Sequence, residues 1–236
     1  MHDVLCLIPA RSGSKGLKNK NIKLFNGTPL ILYPYNIAKQ SRFIDDIAIT
    51  SDSEKYLNYF KNKNIYKILR PKNISQSKSK IHDVIIHALS KLKKHYKYLV
   101  LLEPTSPLTS AKEIDEAIKI LISKNNNINS VVSVVSNHKF ISVFKADLNK
   151  DFRIKNDFKI KDLNRQNFKR NEYYFSGNFY AAKIEYLKKI KSFIDKGTYC
   201  FPIKDSIHTD IDDIKDFISA ESILKKKLFK IKKINE

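Results

Sequence analysis

The feature that most constrains the fold is a regular alternation between short apolar segments and amphipathic helical segments. The short segments are mostly apolar or β-branched, which is typical of strands buried on both faces. They are residues 4–9, 46–50, 66–69, 98–102 and 130–135. Between them, apolar residues recur at helical spacing, as in 81–92 and 114–122. The alternation predicts one three-layer α/β domain over residues 1–236, with a mostly parallel sheet.

This alternation weakens after residue 135. Residues 138–175 contain many aromatic residues without a sustained period, and a strand-like segment resumes only at 177–182. Because aromatic rings are costly to leave in water, we expect those of 138–175 to pack against another surface. We therefore interpret 138–175 as an excursion from the sheet.

Two helix starts are marked by capping signals. Ser110 followed by Glu113 predicts a capping box, in which each side chain satisfies the other residue's free backbone N–H. Residues 213–233 predict a final amphipathic helix, and Asp213 is the residue that we assign to its N-terminal cap.

The formal net charge of +21 raises the hypothesis of a non-catalytic, basic nucleic-acid-binding protein. However, only six of the 45 basic residues are arginine, and the chain is also rich in isoleucine and asparagine. This composition is what A/T-rich codons give, so we favour compositional drift over a selected nucleic-acid surface. No apolar run approaches the roughly 20 residues of a membrane helix. We therefore expect a cytoplasmic protein with no membrane partner.

The most informative segment is the loop that follows the first strand, IPARSGSKGLKNKNI at 8–22. It carries two glycines and four cations, namely Gly13, Gly16, Arg11, Lys15, Lys18 and Lys20, and no acidic residue lies between Asp3 and Asp45. Glycines and unopposed cations at the carboxyl end of a strand are typical of a site for several adjacent phosphates. The segment fits neither a Walker loop nor a dinucleotide fingerprint. The alternative is an ordinary lysine-rich surface loop.

The loop resembles the N-terminal signature of the acylneuraminate cytidylyltransferase family, also called CMP-sialic acid synthetases. The resemblance continues in order over nearly the whole chain, through PLILYPYNIA, ITSDS, LRP, EPTSPL, SVVSV, NRQ, GNFY and DIDD. It implies a Rossmann-like nucleotidyltransferase domain that transfers CMP from CTP to the anomeric hydroxyl of a nonulosonic sugar acid and releases pyrophosphate. The enzyme for the eight-carbon 3-deoxy-octulosonic acid is the neighbouring alternative. The family also implies a homodimer, with 138–175 as its dimerisation element.

The resemblance also assigns roles to residues. The nucleotide-binding set that it implies is Arg11, Ser12, Gly13, Ser14, Lys15, Gly16, Lys20, Asn21 and Arg70. The implied sugar-acid set is Glu103, Thr105, Ser106, Arg165 and Gln166. The residues implied in catalysis are Arg11, Lys15, Lys20, Asp210 and Asp212.

Asp210 and Asp212 stand two positions apart in the sequence TDID. In an extended segment, this spacing places both carboxylates on one face. Two carboxylates beside a triphosphate suit Mg²⁺, which the family also implies at this pair. The alternative for Asp212 is a helix cap, which we assign to Asp213 instead.

The chain departs from the family pattern at two places. Residues 75–80 read SQSKSK, where the family commonly has an acidic residue followed by small hydroxyl residues. Glu103 stands where the family more often has glutamine. A carboxylate beside a sugar acid repels it unless the carboxylate is paired or protonated, so Glu103 hints at a different nonulosonate.

Overall fold

The computed structural model describes residues 2–14, 16–61, 63–123, 127–136 and 173–234, with side chains up to residue 226. Its strands are β1 (Val4–Pro9), β2 (Leu24–Phe25), β3 (Thr28–Pro29), β4 (Asp46–Ser51), β5 (Tyr66–Leu69), β6 (Tyr98–Leu101), β7 (Ser130–Ser136), β8 (Tyr173–Lys183) and β9 (Tyr199–Pro202). Its α-helices are α1 (Leu32–Gln40), α2 (Glu54–Leu57), α3 (Ile81–Ser90), α4 (Ala111–Ile122), α5 (Ile184–Ile190) and α6 (Ile214–Ile234). Short 3-10 helices lie at Lys20–Ile22, Asn58–Phe60 and Lys72–Ile74.

Seven of these strands form one sheet in the order β5-β4-β1-β6-β8-β7-β9. Strand β8 runs antiparallel to β6 and β7, and the other neighbouring pairs are parallel. The mostly parallel sheet that the sequence predicted is therefore confirmed. The chain runs from β1 to β4 and β5 on one side and then crosses to β6 on the other. The carboxyl ends of β1 and β6 therefore meet at the point where a ligand crevice forms in α/β sheets.

Side chains of β1 alternate between the two faces of the sheet. Val4, Cys6 and Ile8 enter a buried cluster with α1 and α4, whereas Leu5 and Leu7 enter a second buried cluster with α3 and α5. Both faces of β1 are covered by other parts of the protein. This explains why its sequence is a continuous apolar run rather than an alternation of apolar and polar residues. Two helical layers around one sheet confirm the three-layer α/β prediction.

The capping box predicted at Ser110 and Glu113 is wrong. Ser110 precedes α4, but its side chain makes no capping hydrogen bond. The Glu113 carboxylate, which is 3% exposed, accepts backbone N–H groups from Lys204, Asp205 (2.8 Å) and Ser206 (2.9 Å) instead. The Glu113 carboxylate therefore binds the loop after β9 and not the N-terminus of α4.

Replacing Glu113 with alanine is expected to lower the free energy of unfolding by about 3 kcal/mol, because three N–H groups lose a charged acceptor. The midpoint of urea denaturation measures this loss. The control is Glu116→Ala on the exposed face of the same helix, which should stay within about 0.5 kcal/mol of the wild type. Equal stabilities of the two variants would contradict the assignment.

The sheet resumes earlier than the sequence predicted. Strand β8 begins at Tyr173 rather than near residue 177, because Tyr173, Tyr174 and Phe175 pair with Ser136, Val135 and Val134 of β7. Aromatic residues are favoured in strands, which accounts for the extension. The excursion therefore ends before Tyr173, and the remainder of 138–175 lies outside the described residues. Among the residues that are described, no helix is both long and apolar enough to cross a membrane.

Candidate active site

A pocket of about 380 Å³ opens at the carboxyl ends of β1 and β6. Its wall is formed by the loops that follow β1, β5 and β6, by the start of α3 and by the segment that precedes α6. The lining residues that the sequence singled out are Arg11, Ser14, Lys20, Asn21, Arg70, Glu103, Thr105, Asp210 and Asp212. Nine predicted site residues from distant parts of the chain thus share one cavity.

The loop after β1 is fixed by its own contacts. The Arg11 guanidinium donates to the Gly13 carbonyl at 2.6 Å, and the Asn21 side-chain amide donates to the Arg11 carbonyl at 3.0 Å. Lys20 and Asn21 are buried in a 3-10 turn, which places both side chains on the pocket wall. Lys15 lies outside the described residues, so its predicted role in phosphate binding stays a prediction.

The two glycines of this loop have different surroundings. A Cβ atom at Gly16 would collide with the backbone carbonyl of Asp212, whereas a Cβ atom at Gly13 would meet no atom within 4 Å. The close approach that requires glycine at position 16 is therefore between two segments of the protein. Space remains beside Gly13 for a ligand.

Lys20 connects this loop to the acidic segment before α6. Its ammonium donates to the Ile211 carbonyl and to the Asp212 carboxylate, the latter at 3.0 Å. The Lys20 side chain is only 10% exposed, while that of Asp212 is 76% exposed. The pair joins positions that are 192 residues apart, so the predicted phosphate ligand and the predicted metal ligand share one wall.

Asp213 has a different place from Asp210 and Asp212. Asp213 caps α6, since its carboxylate accepts the backbone N–H groups of Lys215 (2.7 Å) and Asp216 (2.9 Å). Asp210 and Asp212 line the pocket instead. Burial raises the pKa of the Asp210 carboxyl, and the negative charge of Asp212 raises it further, while Lys20 opposes the shift.

The donor chemistry of this pair fits a hard divalent cation. In the described part of the chain, no group of three or more His, Cys, Asp or Glu side chains is placed to share a metal ion. Two carboxylates are nevertheless enough for Mg²⁺ where substrate phosphates and water complete the coordination. The residues present therefore fit the metal that the sequence resemblance implied.

Arg70 is a buried wall residue rather than a surface arginine. It is 5% exposed, and its Nε donates to the Ser75 hydroxyl at 2.9 Å. Burial lowers the pKa of its guanidinium, and the nearby charge of Asp52 opposes this effect. Ser75, Gln76 and Ser77 also line the pocket. The segment in which the chain departs from the family pattern therefore forms part of the site.

The opposite wall contains Glu103 and Thr105, but not Ser106. Ser106 is 3% exposed, and its hydroxyl, which has a single proton to donate, lies within hydrogen-bond distance of the carbonyls of Gly177 (3.0 Å) and Thr209 (2.9 Å). It supports the segment that leads to Asp210, so the structure does not bring it to the pocket with the other predicted residues. Arg165 and Gln166 lie outside the described residues, and their predicted roles stay predictions.

Acidic groups crowd the wall that contains Glu103. Burial raises the pKa of the Glu103 carboxyl above its ordinary value, with Asp210 and Asp212 adding to the effect and Lys20 opposing it. The pKa of Tyr180 is raised to about 12, mainly by burial. The negative charges of Glu103 and Asp210 add to this effect. The wall thus disfavours further negative charge.

The raised pKa of Glu103 gives stability a defined pH dependence. Ionisation of Glu103 is harder in the folded chain than in the unfolded chain, so folding loses stability as the pH rises above the ordinary value of 4.5. Glu103→Gln should therefore melt a few degrees higher than the wild type near pH 8. Near pH 4 the two melting temperatures should be almost equal. Melting temperatures across this range measure the effect, with Glu116→Gln as the exposed control. A constant difference at all pH values would contradict the assignment.

Sequence reasoning gave Asp52 no role, although the structure places it beside the site. Its carboxylate accepts hydrogen bonds from the backbone N–H and the hydroxyl of Ser12, both at 2.8 Å. The available signal was its position directly after β4, next to the end of β1. Ser12, which the resemblance placed among the nucleotide ligands, is not on the pocket wall and directs both donors to Asp52.

The strand order and the cationic pocket at the switch point define a Rossmann-like nucleotidyltransferase domain. A solved structure with the same architecture is CMP:2-keto-3-deoxy-manno-octonic acid synthetase complexed with CTP, with a TM-score of 0.68 and 12% identity. The match covers 95% of this chain and 99% of that one. At this identity, the likeness shows the fold alone.

Sequence comparison identifies the family. Residues 5–231 match the family described as "Cytidylyltransferase", and the chain belongs to this family. N-acylneuraminate cytidylyltransferase of Escherichia coli O18:K1:H7 (strain RS218 / NMEC) is 32% identical over 227 residues, which are 95% of this chain and 52% of that protein. Pseudaminic acid cytidylyltransferase of Campylobacter jejuni subsp. jejuni serotype O:2 is 24% identical over 234 residues, with 94% and 96% coverage.

These matches confirm the family resemblance that the sequence motifs predicted. The chain spans about half the length of the first curated relatives that it matches. Relatives that are covered almost completely also occur, as in the Campylobacter jejuni protein.

Proposed function

We propose that this chain transfers CMP from CTP to the anomeric hydroxyl of a nonulosonic, sialic-acid-like sugar acid and releases pyrophosphate. The observation that carries the proposal is the division of the pocket in a chain of the cytidylyltransferase family. Arg11, Lys20 and Arg70 supply positive charge, and Asp210 and Asp212 supply hard oxygen ligands. The cationic side chains suit the phosphates of a nucleoside triphosphate, and the carboxylates suit the divalent cation that accompanies them.

In the proposed reaction, the anomeric oxygen of the sugar acid attacks the α-phosphorus of CTP. The bond from this phosphorus to the oxygen that bridges it to the β-phosphorus breaks, pyrophosphate leaves with that oxygen, and the hydroxyl proton passes to solvent. Such reactions depend mainly on positioning and charge neutralisation. Lys20 and Arg11 would hold the phosphates, and buried Arg70 would lie towards the nucleoside, as the family resemblance implies.

Asp210 and Asp212 would hold Mg²⁺, which would neutralise part of the phosphate charge when bound. The Lys20 ammonium already holds Asp212 on the pocket wall. This contact would keep one carboxylate oriented before the nucleotide arrives. Glu103 and Thr105 would then contact hydroxyl groups of the sugar acid. Arg165, beside Gln166, would grip its carboxylate, as the family resemblance implies.

The proposed homodimer has partial support at the start of β8. Tyr173, Tyr174 and Phe175 are each about half exposed, at 51%, 53% and 52%. Tyr173 and Phe175 point to one face of the strand and Tyr174 to the other. Exposed aromatic side chains are typical of an interface, and these three end the segment that the family resemblance assigns to dimerisation. Sedimentation at micromolar concentration should give twice the chain mass, and a monomer would contradict the dimer. The cytoplasmic location stays a prediction.

The catalytic proposal is tested by incubating the protein with each of the four ribonucleoside triphosphates and a panel of sugar acids. The panel contains several nonulosonic acids and the eight-carbon 3-deoxy-octulosonic acid, each with and without Mg²⁺. We expect Mg²⁺-dependent release of pyrophosphate with CTP and a nine-carbon acid. Turnover with the eight-carbon acid alone would favour the neighbouring enzyme. Salt-sensitive binding to duplex DNA without pyrophosphate release would contradict catalysis.

A further inference from the structure

Asp52 lies at the end of β4, beside the loop that carries the cations of the pocket. It is partly buried and is not among the residues that line the cavity. One oxygen of its carboxylate accepts the backbone N–H of Ser12, and the other accepts the Ser12 hydroxyl, both at 2.8 Å. A charged acceptor that binds two donors of one residue fixes both its position and its orientation.

Other contacts tie the same two strand ends together. The Ala10 N–H donates to the Thr50 carbonyl at 2.9 Å, which extends the pairing of β1 with β4. The Tyr56 hydroxyl approaches the Ser12 carbonyl at 3.5 Å. Arg11 therefore lies between two residues that are anchored to the β4 end of the sheet.

Asp52 also lies within the electrostatic reach of Arg70, a cation on the pocket wall. Burial lowers the pKa of the Arg70 guanidinium, the negative charge of Asp52 raises it, and the positive charge of Arg11 lowers it. The like charge of Arg11 thus disfavours the charged form of Arg70, and the charge of Asp52 favours it. Because Asp52 is off the pocket wall, its charge does not face a bound phosphate directly.

We propose that Asp52 is a positioning residue for the nucleotide. Its carboxylate fixes Ser12 and sets the course of the loop that carries Arg11. Its negative charge also partly balances the buried charge of Arg70. Both Ser12 donors serve this contact, so among the described residues of the loop the direct phosphate contacts fall to Arg11, Ser14 and Lys20. The proposal rests on the proposed function, in that CTP is taken as the ligand of this pocket.

The test compares Asp52→Ala, Asp52→Asn and Ser12→Ala with the wild type. The matched control is Asp45→Ala, because the Asp45 carboxylate also accepts two backbone N–H groups, from Val4 (2.9 Å) and His2 (3.0 Å), at the opposite end of β1. Calorimetry gives the Kd for CTP without sugar acid, steady-state kinetics separate kcat from KM, and thermal melting reports folding.

We expect Asp52→Ala to raise the Kd and KM for CTP about 10- to 100-fold, since a charged acceptor of two hydrogen bonds is lost. Asp52→Asn should fall between this variant and the wild type, because its side-chain oxygen can still accept the Ser12 N–H. Ser12→Ala should also weaken binding, but less than Asp52→Ala. Asp45→Ala should lower the melting temperature and leave the Kd for CTP unchanged.

Two results would overturn the positioning role. One is CTP binding by Asp52→Ala within about twofold of the wild type, which corresponds to less than about 0.5 kcal/mol. The other is an equal rise of Kd in Asp45→Ala, which would make the effect one of general stability. If Asp52→Ala does not fold, Asp52→Asn and Ser12→Ala decide the question by the same criteria. A wild-type chain that fails to bind CTP would overturn the proposed function as well, so the two failures are distinguishable.

Discussion

Asp210→Asn and Asp212→Asn are each expected to reduce turnover by about 10² to 10⁴-fold, while CTP binding weakens much less. Both carboxylates line the pocket, where the cation that they would hold stabilises charge that develops in the transition state. Asp212→Asn should also weaken the hold on Lys20, because it removes the charge from their 3.0 Å contact. Pyrophosphate release at saturating Mg²⁺ measures the loss.

The matched control is Asp213→Asn. Asp213 is next to this pair in the chain, but it caps α6 and does not line the pocket. Because asparagine caps helices about as well as aspartate, this variant should retain near-normal turnover. Near-normal rates for Asp210→Asn and Asp212→Asn, or a collapse confined to Asp213→Asn, would contradict the assignment.

Lys20→Met is expected to lower kcat/KM for CTP by about 10² to 10³-fold. Methionine keeps most of the side-chain length, but it removes the ammonium that contacts the Ile211 carbonyl and the Asp212 carboxylate. The substitution would therefore remove one phosphate ligand and release the acidic segment in a single step. Lys18→Met, at an exposed position of the same loop, is the control.

Steady-state kinetics with CTP as the varied substrate give the answer, after circular dichroism has shown that each variant is folded. If Lys18→Met and Lys20→Met lost activity equally, the net charge of the loop would be the important property. The specific contacts of the buried ammonium would then be irrelevant.

Sequence reasoning succeeded where a local pattern determines the structure. The bounds of β1 follow from an apolar run, because a strand covered on both faces has little room for polar residues. The bounds of β5 are also those predicted, although this edge strand is largely exposed. Asp213 caps α6 as predicted, since its bonds to Lys215 and Asp216 span only two and three residues. The pocket wall also contains most of the residues that the motifs had indicated.

Sequence reasoning failed where a distant partner competes for a side chain. Glu113 is drawn to backbone N–H groups more than 90 positions away, which overrides its local capping signal. The partner of Ser12 is 40 positions away, and nothing in the loop itself points to Asp52. Ser106 has the small polar character of a ligand residue, but its hydroxyl is used between β8 and the segment before Asp210.

The central claim is that the α-phosphate of CTP moves to the sugar acid. The most direct measurement is to supply CTP with ³²P at the α-position or at the γ-position, together with a nonulosonic acid and Mg²⁺, and to separate the products. The claim predicts that the α-label appears in a new CMP-sugar and the γ-label in pyrophosphate, in equal amounts. Release of the γ-label as inorganic phosphate, or an α-label that remains in CTP with every acid supplied, would contradict it.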